Sequence, residues 1–166
     1  MQRIFLQFKN FALRPNPHDS DTIRLEWREK GSEYRFQPHQ LSDGTLRFIC
    51  LATLLLQPDP PTTIIVDEPE LGLHPHALSV LAGLVRSAAS RTQVIMTTQS
   101  VTLVDQFAPR DIVVVDRERD TENGTVGDLR SETTLRRLGD RQDLDQWLED
   151  YTVGELWEMN MIGGRP

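Results

Sequence analysis

Alternation of apolar and polar residues marks the first segments of the chain as strands. Residues 2–13 set Ile4, Leu6 and Phe8 against Phe5, Gln7 and Lys9, and residues 22–29 set Ile23, Leu25 and Trp27 against Arg24, Glu26 and Arg28. A period of two over such lengths predicts strands, the second with one face in water. Pro15-Asn16-Pro17-His18-Asp19-Ser20 predicts the turn between them, and Tyr34 to Phe36 a short third strand that completes a small antiparallel sheet. The pattern changes at Leu41. Ser42-Asp43-Gly44-Thr45 offers N-capping side chains ahead of Leu46 to Leu56, an apolar run of helical length stopped by Pro58, Pro60 and Pro61. Short apolar runs at 63–67, 92–97 and 111–116 then alternate with helical patterns at 75–89 and 100–107. Such alternation predicts parallel strands joined by crossover helices.

Residues 117–143 are rich in charge, with a hairpin expected through Glu122-Asn123-Gly124-Thr125. Leu144, Trp147, Leu148 and Tyr151 share one helical face, and Thr152-x-x-Glu155 reads as a capping box opening a second short helix with Leu156 and Trp157. The chain is thus expected to form one α/β domain over 1–166. Antiparallel strands fill 1–40, the central α/β segment 41–116, and a charged segment with C-terminal helices 117–166.

Composition narrows this little. At 166 residues and 38% hydrophobic content the chain is long enough to bury a core. A net charge of −7 argues against a uniformly basic surface gripping nucleic acid, although it does not weigh on a local patch. Cys50 is the single cysteine, so neither a disulfide framework nor a cysteine-based metal site arises within one chain. Its apolar neighbours predict an inert core thiol. The N-terminus lacks the apolar core and cleavage site of a secretion signal, and no apolar stretch approaches the roughly 20 residues that span a membrane. A cytoplasmic setting is expected.

The candidate chemistry starts at Ile64-Ile65-Val66-Asp67-Glu68, where an apolar strand ends on two adjacent carboxylates. Open α/β folds place ligands at that end of a parallel strand, though an acidic turn after a buried strand looks the same in isolation. Ser42 and Gly44 open the apolar helix, and free backbone N–H groups beside a small hydroxyl make an anion site. An ordinary capped helix is the alternative there. After the run at 92–97 comes Thr97-Thr98-Gln99-Ser100, which on its own is a polar turn capping the next helix. His74-Pro75-His76, with Asp67, Glu68 and Glu70 nearby, also invites a metal-hydrolase reading. Against it, Pro75 brings helix geometry that points neighbouring side chains apart, and no third separate ligand motif is visible.

Taken as an ordered set, Leu-Ser-Asp-Gly-Thr-Leu-Arg-Phe at 41–48, Ile-Ile-Val-Asp-Glu at 64–68, Glu-Leu-Gly-Leu-His-Pro at 70–75 and Thr-Thr-Gln-Ser at 97–100 resembles the predicted AAA-family ATPases of ABC type. Those are relatives of the RecF, SMC and OLD-nuclease ATPase heads. Gly-Glu-Leu-Trp-Glu at 154–158 and Gly-Gly-Arg at 163–165 extend the likeness, which runs from Arg24 to the end. The resemblance implies a Walker B motif at 64–68, with Asp67 orienting Mg²⁺ and Glu68 polarising the attacking water. It implies that 41–45 is a variant of the LSGGQ signature, with Ser42, Asp43 and Gly44 at the γ-phosphate of ATP. Gln99 stands where such proteins carry a switch histidine; it can sense or position water but cannot become cationic. His74 stands in place of the D-loop aspartate, near the interface of paired heads.

Members of this family also carry a phosphate-cradling loop, G-x-x-x-x-G-K-[ST]. This chain has two lysines, Lys9 and Lys30, and no Gly-Lys pair. The resemblance therefore implies a partial P-loop NTPase fold, with a parallel sheet flanked by helices and a small antiparallel element. Such a C-terminal lobe is expected to bind Mg²⁺-ATP weakly and to lack appreciable turnover alone. Its expected partner is a second copy in a head-to-tail pair, or a segment bearing the phosphate loop. The rival expectations are a non-catalytic regulatory or dimerisation module, or a truncated domain-swapped fragment. Nucleic acid enters only by analogy with relatives that act on DNA.

Overall fold

The computed structural model describes residues 1, 2, 4–119 and 131–164. They divide into two compact units, Met1–Thr97 and Thr98–Pro166.

In the first unit, β1 (Phe8–Asn16) and β2 (Asp19–Glu29) form an antiparallel hairpin that sets Phe11 opposite Trp27 and Leu13 opposite Leu25. The first strand begins later than its alternation predicts, because the Ile4 and Phe5 N–H groups turn back onto the Met1 carbonyl. It also ends later: Pro15 pairs with Ile23, so the turn is confined to Asn16–Asp19. β2 does not present the two expected faces. The neighbours Glu26 and Trp27 are both buried, whereas Ile23 is 68% exposed. Trp27 stacks on Phe36 at 4.4 Å between ring centroids, and the Glu26 carboxylate accepts from Gln37 Nε2 at 3.2 Å. The segment folding back over β2 thus covers adjacent residues, and the third strand expected at 34–36 is reduced to one bridge between Trp27 and Phe36.

α1 (Asp43–Leu55) starts at the Ser42 N-cap and buries Gly44, Phe48 and Leu55. Cys50 is exposed, contrary to the core thiol expected from its neighbours. It follows Phe48 by two positions, about 200° around a helix, and so turns away from the buried side. β3 (Thr63–Asp67) and β4 (Gln93–Thr97) pair in parallel, Ile64 opposite Val94 and Asp67 opposite Thr97. They are joined through α2 (Pro75–Ala89), whose Pro75 sits in the first turn where its missing N–H costs nothing. Residues Ala77, Leu78, Leu81, Ala82, Val85 and Ala88 form the buried stripe of α2, which packs on α1 and β4. Arg91 closes the layer by donating to the Leu55 carbonyl at 3.0 Å. Along the strand pair Ile64 is buried, but Ile65 is 72% and Ile95 45% exposed. One face of the parallel pair is therefore open, where complete α/β sheets are covered on both.

The second unit contains α3 (Val101–Val104), β5 (Val113–Arg119), β6 (Ser131–Arg137), α4 (Leu144–Trp147) and α5 (Val153–Glu158). β5 pairs antiparallel with β6, Val115 opposite Leu135, which corrects the expectation of a third parallel strand at 111–116. Thr133, Thr134 and Leu135 favour a strand but lie among charges that mask their pattern. The hairpin turn expected at Glu122-Asn123-Gly124-Thr125 lies outside the described residues. Val114, Leu138, Leu144, Val153 and Leu156 form this unit's core, with Val104, Ile112 and Leu148 packed against it. Trp147 and Tyr151 remain 39% and 41% exposed, because α4 ends at Trp147 and does not carry the expected face onward.

The capping box is present as expected: the Thr152 hydroxyl accepts from Glu155 N–H at 3.2 Å, and the Glu155 carboxylate from Thr152 N–H at 2.8 Å. Asp105 adds to it by accepting from Gly154 N–H at 2.6 Å. Thr152→Ala is expected to cost about 1 kcal/mol, read as a lower midpoint in denaturant unfolding.

Candidate functional site

The parallel register of β3 and β4 builds the site. Asp67 ends β3, and Thr97, its register partner, donates its hydroxyl to the Asp67 carboxylate. Thr97 also fixes the next residue, since Glu68 N–H donates to the Thr97 carbonyl at 3.1 Å. Glu68 has φ of +43°, a left-handed conformation that costs a non-glycine residue about 1–2 kcal/mol and persists only where the surroundings impose it. The chain then turns tightly, with Leu71 N–H donating to the Glu68 carbonyl at 3.3 Å and Gly72 at φ +76°. Arg47, Leu51, Val66, Asp67, Glu68, Pro69 and Leu71 line an open cavity of about 360 Å³. Asp67 is exposed and Glu68 half-buried there.

Close by in the same unit, Ser42 caps α1: its hydroxyl accepts from Thr45 N–H at 3.2 Å. Asp43 occupies the first turn of the helix. Gly44 is buried, and a Cβ added there would stand 1.9 Å from the Gly72 carbonyl oxygen. Glycine at 44 is therefore required by the chain's own backbone, apart from any phosphate. His74 caps α2, its Nδ1 accepting from His76 N–H at 3.3 Å. Ser42, Asp43, Gly44, Asp67, Glu68 and His74 all fall within the first unit. Gln99 belongs to the second, one residue ahead of Ser100, the N-cap of α3.

Two residues of the site were not singled out by sequence reasoning. Thr97 belongs to the Thr-Thr-Gln-Ser motif, and its signal is the β3–β4 register, which only pairing reveals. Arg47 stands three positions after Gly44, hence on the same side of α1, and its Nη1 donates to the Glu68 carbonyl at 3.4 Å.

A larger cavity of about 510 Å³ lies in the second unit and is lined partly by Arg136 and Arg141. Both guanidinium groups are committed, Arg136 to Asp116 at 2.9 Å and Arg141 to Asp143 at 2.6 and 2.8 Å. The hydrogen bond from Arg141 holds the Asp143 carboxyl below the usual carboxylate range. The smaller cavity, with its carboxylate pair, is the chemically equipped one.

Among the described residues, no group of three or more His, Cys, Asp or Glu side chains is placed to hold a metal ion. Mg²⁺ commonly takes one or two carboxylates and completes its shell with waters and substrate phosphates. Asp67 with its neighbour Glu68 thus fits an ion that arrives with a nucleotide, and does not form an all-protein cage.

A parallel strand ending in paired carboxylates, steadied by the neighbouring strand and set in one unit with a glycine-started helix, accompanies sequence likeness to AAA-family and ABC-type ATP-binding proteins. The chain belongs to the family described as AAA domain, putative AbiEii toxin, Type IV TA system, whose model matches residues 2–105. It is 31% identical over 99 residues to a putative ABC transporter ATP-binding protein of Methanosarcina acetivorans, covering 59% of this chain and 35% of that one. It is 38% identical over 106 residues to the daunorubicin resistance ATP-binding protein DrrA3 of Streptomyces coeruleorubidus, covering 63% and 31%. The chain spans about a third of the length of these relatives. Among solved structures, the Smc head domain of Pyrococcus furiosus, bound to the C-terminal domain of ScpA, superposes with a TM-score of 0.59 at 14% identity, covering 90% of this chain and 35% of that one. A structure from work on ATP-driven dimerisation and DNA-stimulated activation of SMC ATPases gives 0.51 at 13% identity, covering 90% and 88%. These two show the fold, that of a P-loop ATPase head. No helix among the described residues is long and apolar enough to cross a membrane.

Proposed function

We propose that this chain is the lobe of an ABC-type ATPase that brings Walker B carboxylates and a signature helix end to ATP whose phosphates are gripped by a separate phosphate-loop segment. The observation that carries this reading is the double hold of Thr97 on Asp67 and Glu68 at the mouth of the 360 Å³ cavity. Asp67 would hold the hydrated Mg²⁺, and the ion would supply neutralisation of phosphate charge. Glu68 accepts the proton of the attacking water. In a head-to-tail pair, Ser42, Asp43 and Gly44 of one copy face the γ-phosphate bound by the other, with His74 near the interface. The ATP-driven dimerisation of the SMC ATPase that shares this fold supports that pairing, and the DNA-stimulated activation of that protein points towards nucleic acid.

Because the chain has no Gly-Lys pair, most phosphate contacts must come from elsewhere, on the same polypeptide or another. Calorimetric titration with Mg²⁺-ATP tests this directly. Weak or no binding is expected for the chain alone, and measurable binding once a phosphate-loop segment is supplied in trans. Tight binding by the chain alone would contradict the split site.

A further inference from the structure

Two contacts tie α1 to the loop that carries the carboxylates. At Gly44 backbone rests on backbone, leaving no room for a side chain against the Gly72 carbonyl. One turn further along the helix, Arg47 donates to the carbonyl of Glu68, 21 positions away in sequence. The same carbonyl accepts from Leu71 N–H. These contacts grip the loop near its two left-handed residues, Glu68 at +43° and Gly72 at +76°. Glycine adopts that region freely and glutamate does not, so Glu68 is held there by its neighbours. Thr97 takes its N–H, and Leu71 and Arg47 hold its carbonyl. The backbone conformation in turn fixes the direction in which the Glu68 side chain leaves, beside a cavity that Arg47 and Asp67 also line.

We propose that Arg47 is a positioning residue for Glu68. Its guanidinium steadies the Glu68 carbonyl, which presets the left-handed backbone and with it the approach of the carboxylate to the cavity. The Gly44–Gly72 contact is the fixed point of the same device, so the start of α1 and the carboxylate loop move as one body. The functional meaning rests on the reading of Glu68 as general base. Arg47 is exposed, so its replacement leaves the packed core intact.

Carbon-13 and nitrogen-15 NMR of the full chain reads Glu68 directly, since left-handed residues have their own pattern of Cα and carbonyl shifts. Arg47→Ala is expected to erase that pattern at Glu68, to shift its side-chain carboxyl resonance and to move the Leu71 and Gly72 amides with it. The β1 and β2 resonances should stay in place. Arg47→Lys, which keeps a donor on a long stem, is expected to retain most of the pattern. A Glu68 pattern unchanged in Arg47→Ala overturns the proposal, and so does a Lys variant as disturbed as the Ala variant. No nucleotide is involved, so the positioning role is decided independently of the ATPase reading, whose failure would show only in the Mg²⁺-ATP titration.

Discussion

Glu68→Gln, in the chain complemented with a phosphate-loop segment, is expected to lower ATP turnover by about 10²–10⁴-fold, the usual contribution of a positioned general base. Glutamine matches glutamate in size and can take the same left-handed backbone, so the loop between β3 and α2 keeps its shape. It can still hydrogen-bond a water but cannot take its proton. Binding of Mg²⁺-ATP should therefore change little, because Asp67 and the Thr97 hydroxyl on it are untouched. Single-turnover hydrolysis beside calorimetric affinity separates the two effects. Turnover that survives in the glutamine variant would remove Glu68 from the role of base.

The largest effect on stability is expected at Gly44. A methyl group there would lie 1.9 Å from the Gly72 carbonyl oxygen and 2.9 Å from its carbon, both backbone atoms with no flexible side chain to swing aside. Overpacking of this kind typically costs 1–3 kcal/mol, and a backbone obstacle places Gly44→Ala at about 3 kcal/mol. For a chain of this size that is a fall in Tm of roughly 6–12 °C. Gly72→Ala is the informative control. Its added carbon would meet Gly44 only at 3.7 Å, an ordinary contact, so its cost is the left-handed backbone alone, about 1–2 kcal/mol. Thermal melts that rank Gly72→Ala as the worse of the two would show that the helix start and the loop are not packed as described.

These residues also show how far the sequence could be read. β3, α2 and the Thr152–Glu155 box fall where pattern placed them, because a uniform apolar strand, a helical stripe behind a proline and a reciprocal cap are all local signals. What escaped was non-local. The run before Asp116 announces a strand but not its partner, and the partner, at Ser131–Arg137, is antiparallel. Glu26 alternates like a solvent-facing residue, yet the segment around Gln37 folds over it. Cys50 sits among apolar residues in sequence while the helix turns it outward. In the site, the carboxylates and the helix start were visible as motifs. The hold of Thr97, the reach of Arg47 and the contact between two glycines 28 positions apart (44 to 72) arise only when the chain folds on itself.

The open face of the parallel pair bears on the chemistry through water. Residues of one parity share a face of a strand, so Ile65 and Ile95 lie on the same side as Asp67 and Thr97. A layer that covered the two isoleucines would also lower the dielectric around the carboxylate at the end of that face. Attraction between Asp67 and a hydrated cation strengthens as the local dielectric falls. Water at the two isoleucines and water at the Asp67 carboxylate therefore belong to one continuous exposed face, and a change in the hydration of the first is felt electrostatically at the second.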